Sequence, residues 1–306
     1  SIIYISHKLD EILELADRVS VLRDGRLVGV APRSELTRDR LIAMMVGRTF
    51  DDIFPPVQAC PRGKPVLTVQ NLAVEEKLKP TSLTVTAGEI VGIGGLEGQG
   101  QRAFVRAIFG DLPVKSGSVI VVDDTPIPTG SITRSIRNGV GYVTHDRRGE
   151  GLMLQASVKH NAALASLWLR QKCGFIDRDQ EALEVNDLAQ KLDIRCRSID
   201  QHVAFLSGGN QQKVMLSRWL MARPKVLIFD EPTKGIDVGA RASIYKIVRN
   251  LADQGMAIVL LTSDMVELIG LIDRIVVFYE GEIVDEFMRE EATEQRIMQA
   301  ASGLGR

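Results

Sequence analysis

The sequence predicts an α/β fold with a mostly parallel sheet that carries helices on both faces. The apolar run 226–229 has the composition of a strand that is buried on both sides, and residues 89–93 are expected to form the strand that precedes a glycine-rich loop. Residues 237–250 have the apolar spacing of a helix, and Gly255 follows as its stop. Because strands alternate with helices along the chain, we expect parallel strands joined by crossover helices.

Other segments predict smaller units around that sheet. Residues 66–69 and 82–86 alternate apolar and polar side chains, as half-buried antiparallel strands do. Residues 155–191 are mostly compatible with helix, with Gly174 as a break. Residues 47–65 contain four prolines and no periodicity, which is typical of a linker.

Composition limits the possible function. The chain has 306 residues and 45% apolar content, enough for one full domain plus a fragment. Its net charge of −1 gives no electrostatic reason to expect nucleic acid as a partner. No apolar stretch approaches the roughly 18 residues needed to span a bilayer. Cys60, Cys173 and Cys196 are scattered without metal-ligand spacing, as in a reduced cytosolic protein.

Two neighbouring motifs indicate a nucleotide site. Residues 206–214 read Leu-Ser-Gly-Gly-Asn-Gln-Gln-Lys-Val, and their Ser-Gly-Gly part opens a helix with bare backbone N–H groups suited to a γ-phosphate. The apolar strand 226–229 then delivers Asp230 and Glu231 at its carboxyl end. One acid can hold Mg²⁺, and the next can orient or deprotonate a water molecule. The order and spacing favour an ATP site over an unrelated turn and strand.

These motifs resemble those of ABC-type ATPases. Residues 206–213 resemble the family's signature motif in the form found in ATPases of bacterial monosaccharide importers, and residues 230–240 resemble its Walker B strand and D-loop. The resemblance implies a P-loop NTPase fold with an antiparallel β subdomain. It also implies that residues 155–191 form the helical subdomain that touches a transmembrane partner.

The phosphate loop departs from the general pattern. The usual P-loop is G-x-x-x-x-G-K-[ST], whereas residues 95–102 read Gly-Leu-Glu-Gly-Gln-Gly-Gln-Arg. Gln101 stands at the lysine position and Arg102 at the hydroxyl position. Loss of the lysine removes a charge-assisted contact worth roughly 1.5 to 3 kcal/mol. We therefore expect the glycine cradle to form and the site to bind nucleotide weakly.

The chain also contains an internal repeat. The block that begins at residue 2 aligns with the block that begins at residue 259, at an offset of 257, and residues 17–25 align with 273–281 at an offset of 256. A strand at residues 2–6 would then be the exposed apolar edge of an incomplete sheet. The repeat predicts the C-terminal part of a longer polypeptide: residues 1–50 as the end of a first nucleotide-binding domain, 51–65 as a linker and 66–306 as a second domain.

The repeat also suggests the switch residue that contacts the γ-phosphate in this family. By this alignment the first copy has His7 and the second has Asp264, whose carboxylate would repel a phosphate. In the segment that resembles the Q-loop region, Thr144 and His145 replace the usual Pro-Glu. A solvated role for His145 and a metal- or coupling-related role remain equally open.

The resemblance implies shared sites, in which the P-loop, Walker B acids and switch residue of one domain face the signature of the other. The signature here would complete a hydrolysing site with His7, while the site of residues 66–306 would turn over slowly. The expected catalytic residues are Glu231, His7 and Asp264, and Asp230 is the expected metal ligand. The expected ATP-binding residues are Gly95, Gly98, Gln99, Gly100, Gln101, Arg102, Ser207, Gly208, Gly209, Gln211 and Asp237.

Three functions remain open. The first is the ATPase subunit of an importer for a monosaccharide-like solute, using ATP and Mg²⁺ on the cytoplasmic face of the inner membrane. Its partners would be permease subunits, the first nucleotide-binding domain and, through the complex, an extracytoplasmic solute-binding protein, without nucleic acid. The second is a non-transport ABC ATPase of translation or DNA repair. The third is a regulatory nucleotide-binding module without turnover of its own.

Overall fold

The computed structural model describes residues 2–5, 9–23, 25–37, 40–41, 44, 54–56, 63–172 and 174–304. The helices there are α1 (Leu9–Leu15), α2 (Gln101–Phe109), α3 (Ile132–Arg137), α4 (Val158–Ala163), α5 (Arg178–Lys191), α6 (Gly208–Leu220), α7 (Val238–Asp253), α8 (Met265–Leu271) and α9 (Glu294–Ala301). The strands are β1 (Arg18–Arg23), β2 (Arg26–Pro32), β3 (Pro65–Val74), β4 (Leu78–Thr86), β5 (Ile90–Gly94), β6 (Val119–Val122), β7 (Thr125–Pro126), β8 (Val140–Val143), β9 (Gln171–Lys172), β10 (Phe175–Ile176), β11 (Val226–Asp230), β12 (Ala257–Leu261), β13 (Arg274–Tyr279) and β14 (Glu282–Met288).

A six-stranded sheet forms the centre of the molecule, in the order β14-β13-β5-β12-β11-β8. The pairs of β5 with β12 and β13, and of β11 with β8 and β12, are parallel. The hairpin pair β13–β14 is antiparallel and closes one edge. The predicted mostly parallel sheet is confirmed.

Alternate residues of the central strands enter two hydrophobic cores. On β11, Leu227 and Phe229 face one core and Val226 and Ile228 face the other, and none of the four is more than 1% exposed. The first core also contains apolar residues of α6, α7, α8 and α9, and the second contains those of α2 and of the β3–β4 hairpin. Burial on both faces explains why the sequence of β11 is continuously apolar.

The antiparallel subdomain is a four-stranded sheet in the order β4-β3-β6-β7. Both predicted segments lie in it, 66–69 within β3 and 82–86 within β4, and these strands pair antiparallel. Alternation along β4 follows the expected pattern, with Thr81, Leu83 and Val85 buried. This sheet covers the face of the central sheet on which α2 lies.

The segment 155–191 is only partly α-helical. Helices α4 and α5 are separated by a 3₁₀ segment, Leu164–Arg170, and by the two-residue strands β9 and β10. Gly174 lies in the turn between those strands with φ +87, a left-handed conformation that favours glycine. The predicted break is therefore a short hairpin. Helix α7 extends three residues beyond the predicted 250, to Asp253.

Residues 2–5 do not form the strand that the repeat predicts. The side chains of Ile2, Ile3 and Ile5 are more than 90% exposed, and these residues pair with no strand of the described chain. Downstream, β1 and β2 form a separate two-stranded sheet. A parallel strand needs neighbours for its backbone hydrogen bonds, and this segment has none among the described residues.

Within the described residues, no helix is both long enough and apolar enough to cross a bilayer.

Candidate functional site

The phosphate loop connects β5 to α2. Gly95 and Gly100 both have positive φ, +135 and +100. A Cβ at Gly95 would lie 2.7 Å from the carbonyl oxygen of Phe278, and a Cβ at Gly100 would lie 3.0 Å from that of Lys77. Both positions therefore require glycine. The loop precedes the N-terminus of α2, where free N–H groups favour an anion.

Hydrogen bonds hold this loop against the turn between β13 and β14. The side-chain oxygen of Gln99 accepts from the backbone N–H of Glu280 at 2.6 Å, and the N–H of Gly281 donates to the carbonyl of Gln99 at 3.1 Å. The carbonyl of Gly281 accepts from the N–H of Lys79 at 2.8 Å. Gln99 therefore positions the loop through both its side chain and its backbone.

Gln101, at the lysine position, supports the loop from inside. It is only 5% exposed, and its Nε2 donates to the carbonyl of Leu96 at 2.7 Å. The amide is thus used within the loop. Gln101 is uncharged and therefore does not supply the positive charge that a lysine would provide at this position.

Arg102, at the hydroxyl position, forms an ion pair with Asp230. The Nε atom of Arg102 lies 3.1 Å from Oδ2 of Asp230, and its Nη2 lies 3.2 Å from Oδ1. Asp230 is fully buried at the end of β11. Its Oδ2 also accepts from the hydroxyl of Tyr142 at 2.6 Å and lies 3.1 Å from Nδ1 of His145.

The electrostatics of this cluster favour the ion pair. Burial disfavours the charged guanidinium, but the hydrogen bond and charge of Asp230 outweigh it, so the pKa of Arg102 is raised. Burial first, and then Asp230, raises the pKa of Tyr142, which keeps its phenol protonated as a donor. His145, left open between two roles, contacts the same carboxylate.

These residues do not fit the predicted magnesium site. A carboxylate offers about four lone-pair positions, and those of Asp230 face Arg102, Tyr142 and His145. The second ligand expected of a P-loop, a hydroxyl, is replaced by a cationic guanidinium. In the part of the chain that the structure describes, no group of three His, Cys, Asp or Glu residues could hold a metal ion.

Glu231 follows Asp230 in a strained backbone conformation with φ +52. Its Oε1 accepts from the backbone N–H of Ser263 at 2.9 Å, and its own N–H donates to the carbonyl of Leu261 at 2.8 Å. The half-buried carboxylate is therefore fixed at the carboxyl edge of β11 and β12. This is the side of a parallel sheet where ligands bind.

The side chain of Asp264 caps the helix that follows it, α8. Its Oδ1 accepts from the N–H groups of Val266 and Glu267 at the start of α8, at 3.1 and 3.2 Å. Its Oδ2 lies 2.9 Å from Nη1 of Arg241. Asp264 is thus an N-cap with a paired charge, and its expected position as a carboxylate facing a phosphate stays a prediction.

The helices also correct the alignment of the repeat. Helix α1 ends at Leu15 and α8 ends at Leu271, so the offset is 256 here as well and no gap is needed. With this offset His7 corresponds to Ser263 instead of Asp264. His7 itself lies outside the described residues.

The signature run begins helix α6. Ser207 is exposed at the N-cap position, and its Oγ accepts from Nδ2 of Asn210 at 2.9 Å. Gly209 packs against α7, where a Cβ would lie 2.7 Å from that of Ala240. Gln211 is 7% exposed and donates to the carbonyl of Val203 at 3.2 Å. The structure therefore presents Ser207 to a ligand or partner but uses Gln211 within the fold.

Two further polar residues, Arg147 and Asp237, lie beside the signature run. Arg147 donates from Nη1 to the carbonyl of Gly208 at 3.0 Å, and burial lowers its pKa. Asp237 caps α7 by accepting from the N–H of Ala240 at 2.9 Å. The sequence reasoning missed Arg147, although its position in the segment that resembles the Q-loop was a usable signal. Among the described residues, no hydrogen bond or ion pair joins the signature run to the phosphate loop.

An open cavity of about 1000 Å³ lies beside the phosphate loop. It is lined by the loop, by residues 76–80 of the β3–β4 hairpin and by Arg106 and Lys115. Lys77 and Lys115 form no ion pair with any described residue. Neither lysine was predicted, because the segments that carry Lys77 and Lys115 approach the loop only in the folded chain. The cavity is large enough for a nucleotide.

Comparison with known sequences places these features in context. A family profile described as ABC transporter matches residues 78–234. The ribose import ATP-binding protein of Clostridium tetani (strain Massachusetts / E88) is 43% identical over 301 residues, 98% of this chain and 59% of that protein. A putative ribose/galactose/methyl galactoside import ATP-binding protein of Geobacillus kaustophilus (strain HTA426) is 43% identical over 303 residues, 99% of this chain and 60% of that protein. The chain thus spans about three-fifths of the length of these relatives.

Solved structures support the fold. A nucleotide-free ATP-binding cassette from an ABC transporter superposes with a TM-score of 0.65 at 19% identity, covering 78% of this chain and 95% of that one. CbiO1 of Clostridium perfringens, part of an ABC transporter complex, gives a TM-score of 0.64 at 23% identity, covering 79% and 95%. At this identity the comparison concerns the fold alone.

Proposed function

Because the chain belongs to the ABC transporter family, we propose that it is the ATP-binding part of an importer for a monosaccharide-like solute. The observation that carries the proposal is the glycine cradle between β5 and α2, held beside a nucleotide-sized cavity. The names of the sugar-import relatives support the solute class. In this proposal ATP binding and hydrolysis drive alternate access in a membrane permease.

We further propose that two ATP sites of the assembled transporter are unequal. Residues 66–306 would form the nucleotide-binding domain with the site described above, 51–65 the linker and 1–50 the end of another such domain. The exposed Ser207 would complete a site whose P-loop belongs to that other domain and whose switch residue is His7. Hydrolysis with Mg²⁺ would occur there. The site on Gln101 and Arg102 would bind ATP weakly and turn over slowly.

The expected partners follow from this assignment. Permease subunits would dock on the helical segment 155–191, where Trp168, Phe175 and Leu183 expose apolar side chains. An extracytoplasmic solute-binding protein would act through the complex, and the ATPase would lie on the cytoplasmic face of the inner membrane. Nucleic acid has no proposed role.

A second candidate is a regulatory module that binds nucleotide without turnover of its own. The ion pair between Arg102 and Asp230 favours it for this site, since the carboxylate expected to hold a metal is neutralised by a side chain. The two candidates differ in whether this chain contributes to any hydrolysing site.

The test measures ATP hydrolysis and solute uptake by the full transporter in proteoliposomes, with two variants of this chain. Ser207→Arg is expected to lower hydrolysis about 100-fold, because it obstructs the N-terminus that would face the other site's γ-phosphate. Glu231→Gln is expected to change hydrolysis less than about threefold.

The matched control is Ser198→Arg, an exposed serine outside the signature run. It should leave hydrolysis unchanged. Full activity of Ser207→Arg would support the regulatory module, and an equal loss from Glu231→Gln would contradict the unequal sites.

A further inference from the structure

The guanidinium of Arg102 occupies the position beside the phosphate loop where a divalent cation would act. It is bidentate to Asp230 through Nε and Nη2, while its Nη1 lies 3.9 Å from Glu97, whose side chain is 91% exposed. Arg102 also lines the cavity and is about one-third exposed. One end of the group is therefore fixed on the buried carboxylate, and the other faces the space available to a ligand.

Asp230 has little capacity left for a metal. Tyr142 donates to its Oδ2 as a protonated phenol, and His145 and Arg102 contact the same oxygen. Mg²⁺ requires near-octahedral oxygen ligands at about 2.1 Å. A cation at that distance would have to displace the guanidinium and separate it from the buried carboxylate of Asp230. Displacing one partner of a buried ion pair is unfavourable.

The cavity supplies further positive charge. Lys77 and Lys115 line it and form no ion pair with a described residue, and Arg106 is balanced by Asp111 and Glu150. A polyphosphate without a bound metal carries one or two more negative charges than its magnesium complex. Glu76, Glu97 and Glu280 line the same cavity. Arg102 and the two lysines still offer three cationic groups to such a ligand.

We propose that this site binds the polyphosphate of a nucleoside triphosphate without a divalent cation, with Arg102 in the place of the metal. Nη1 of Arg102 donates to a phosphate oxygen while its other nitrogens remain on Asp230. This rests on the proposed function, in which the loop binds nucleotide at all. It makes Asp230 a positioning residue for Arg102 and assigns it no metal.

The decisive experiment uses the unaltered 306-residue chain, which contains one phosphate loop. Binding of a fluorescent ATP analogue is titrated in excess Mg²⁺ and in EDTA, by anisotropy. The expected dissociation constants agree within about twofold, or are lower in EDTA. Binding that is tighter in Mg²⁺ by about tenfold or more would overturn the inference and leave the proposed function standing. No binding in either condition would overturn nucleotide binding at this loop and the inference with it.

A variant gives an independent readout. Arg102→Ser frees the carboxylate of Asp230 and restores a hydroxyl, so it is expected to gain bound Mn²⁺, seen by electron paramagnetic resonance with nucleotide present. Arg102→Ser should also require Mg²⁺ to bind the ATP analogue, whereas the parent chain should bind it in EDTA. Arg106→Ser removes another cavity cation without freeing Asp230 and should gain neither property.

Two results would count against the inference here. One is nucleotide-dependent Mn²⁺ binding by the parent chain, and the other is the same gain in Arg106→Ser. Circular dichroism shows whether each variant is folded. If Arg102→Ser is not, the titrations of the parent chain still decide.

Discussion

The two copies of the internal repeat have the same local structure but different surroundings. Helix α1 and the hairpin β1–β2 recur as α8 and β13–β14, each element 256 residues further along. Even the irregular pairing recurs, between residues 21 and 22 in the first hairpin and between 277 and 278 in the second. These elements form from interactions among neighbouring residues, so both copies have them.

The segment before each helix behaves differently. Strand β12 lies between β5 and β11 and is buried throughout, whereas residues 2–5 are exposed and belong to no sheet of the described chain. Both segments are strongly apolar. The difference shows that an apolar run becomes a parallel strand only when neighbouring strands supply its hydrogen bonds.

The largest expected effect is on stability, when equivalent isoleucines of β12 and of residues 2–5 are each replaced by alanine. Ile258→Ala, at a fully buried position, should lower the free energy of unfolding by about 4 kcal/mol because it leaves a cavity between the sheet and its helices. Ile2→Ala, at a position 94% exposed, should change it by less than about 0.5 kcal/mol. Urea denaturation measures both.

A cost of several kcal/mol for Ile2→Ala would contradict the comparison, since it would mean that residues 2–5 are buried in the folded chain. Unchanged m-values in both variants would show that the same transition is being compared.

The next effect concerns a buried acid of the second copy. Glu267 is 1% exposed and accepts hydrogen bonds from Thr233 at 2.7 Å and Thr262 at 3.1 Å. Burial raises the pKa of Glu267 from 4.5 to about 7. The hydrogen bonds from the two hydroxyls lower this pKa, and the negative charge of Asp264 raises it. The folded chain thus holds this proton more tightly than the unfolded chain.

The resulting stability is fully present below pH 4.5 and is lost as the pH rises through 7, a change of roughly 3 kcal/mol. Glu267→Gln should remove this contribution, so the difference in stability between parent and variant should change across pH 4.5 to 7. Denaturation at several pH values measures it, with Ile2→Ala as a background control. A constant difference across that range would contradict the assignment.

The smallest effect tests the corrected alignment of the repeat. Asp264→Ala removes the N-cap of α8 and should cost about 1 kcal/mol of stability, whereas Asp264→Asn keeps a capping oxygen and should cost little. Neither should change ATP affinity more than about twofold, because the carboxylate is paired with Arg241. Anisotropy titrations and thermal unfolding measure the two effects.

Tighter ATP binding by Asp264→Asn, about tenfold, would instead support the expectation that this carboxylate repels a phosphate. It would restore Asp264, in place of Ser263, as the counterpart of His7.

Sequence motifs predicted the strands of the fold and the phosphate loop well, because each motif lies within a short stretch of chain. The glycines of the loop and the apolar strand before Asp230 are such cases, and both lie where the sequence placed them. The role of Arg102 was not predictable in the same way. Its partner Asp230 is 128 residues away, and the pair forms only because β11 and α2 meet at one edge of the sheet.

The sequence by itself determined the family, the α/β class and the positions of the glycine loop, the paired acids and the signature helix. Each is recorded in local composition or spacing, which the chain carries whether or not it is folded. Only the tertiary structure decided that Arg102 neutralises Asp230, that Asp264 caps its own helix and that residues 2–5 join no sheet of the described chain. These outcomes depend on which distant groups come within hydrogen-bond distance, and burial then fixes their charges.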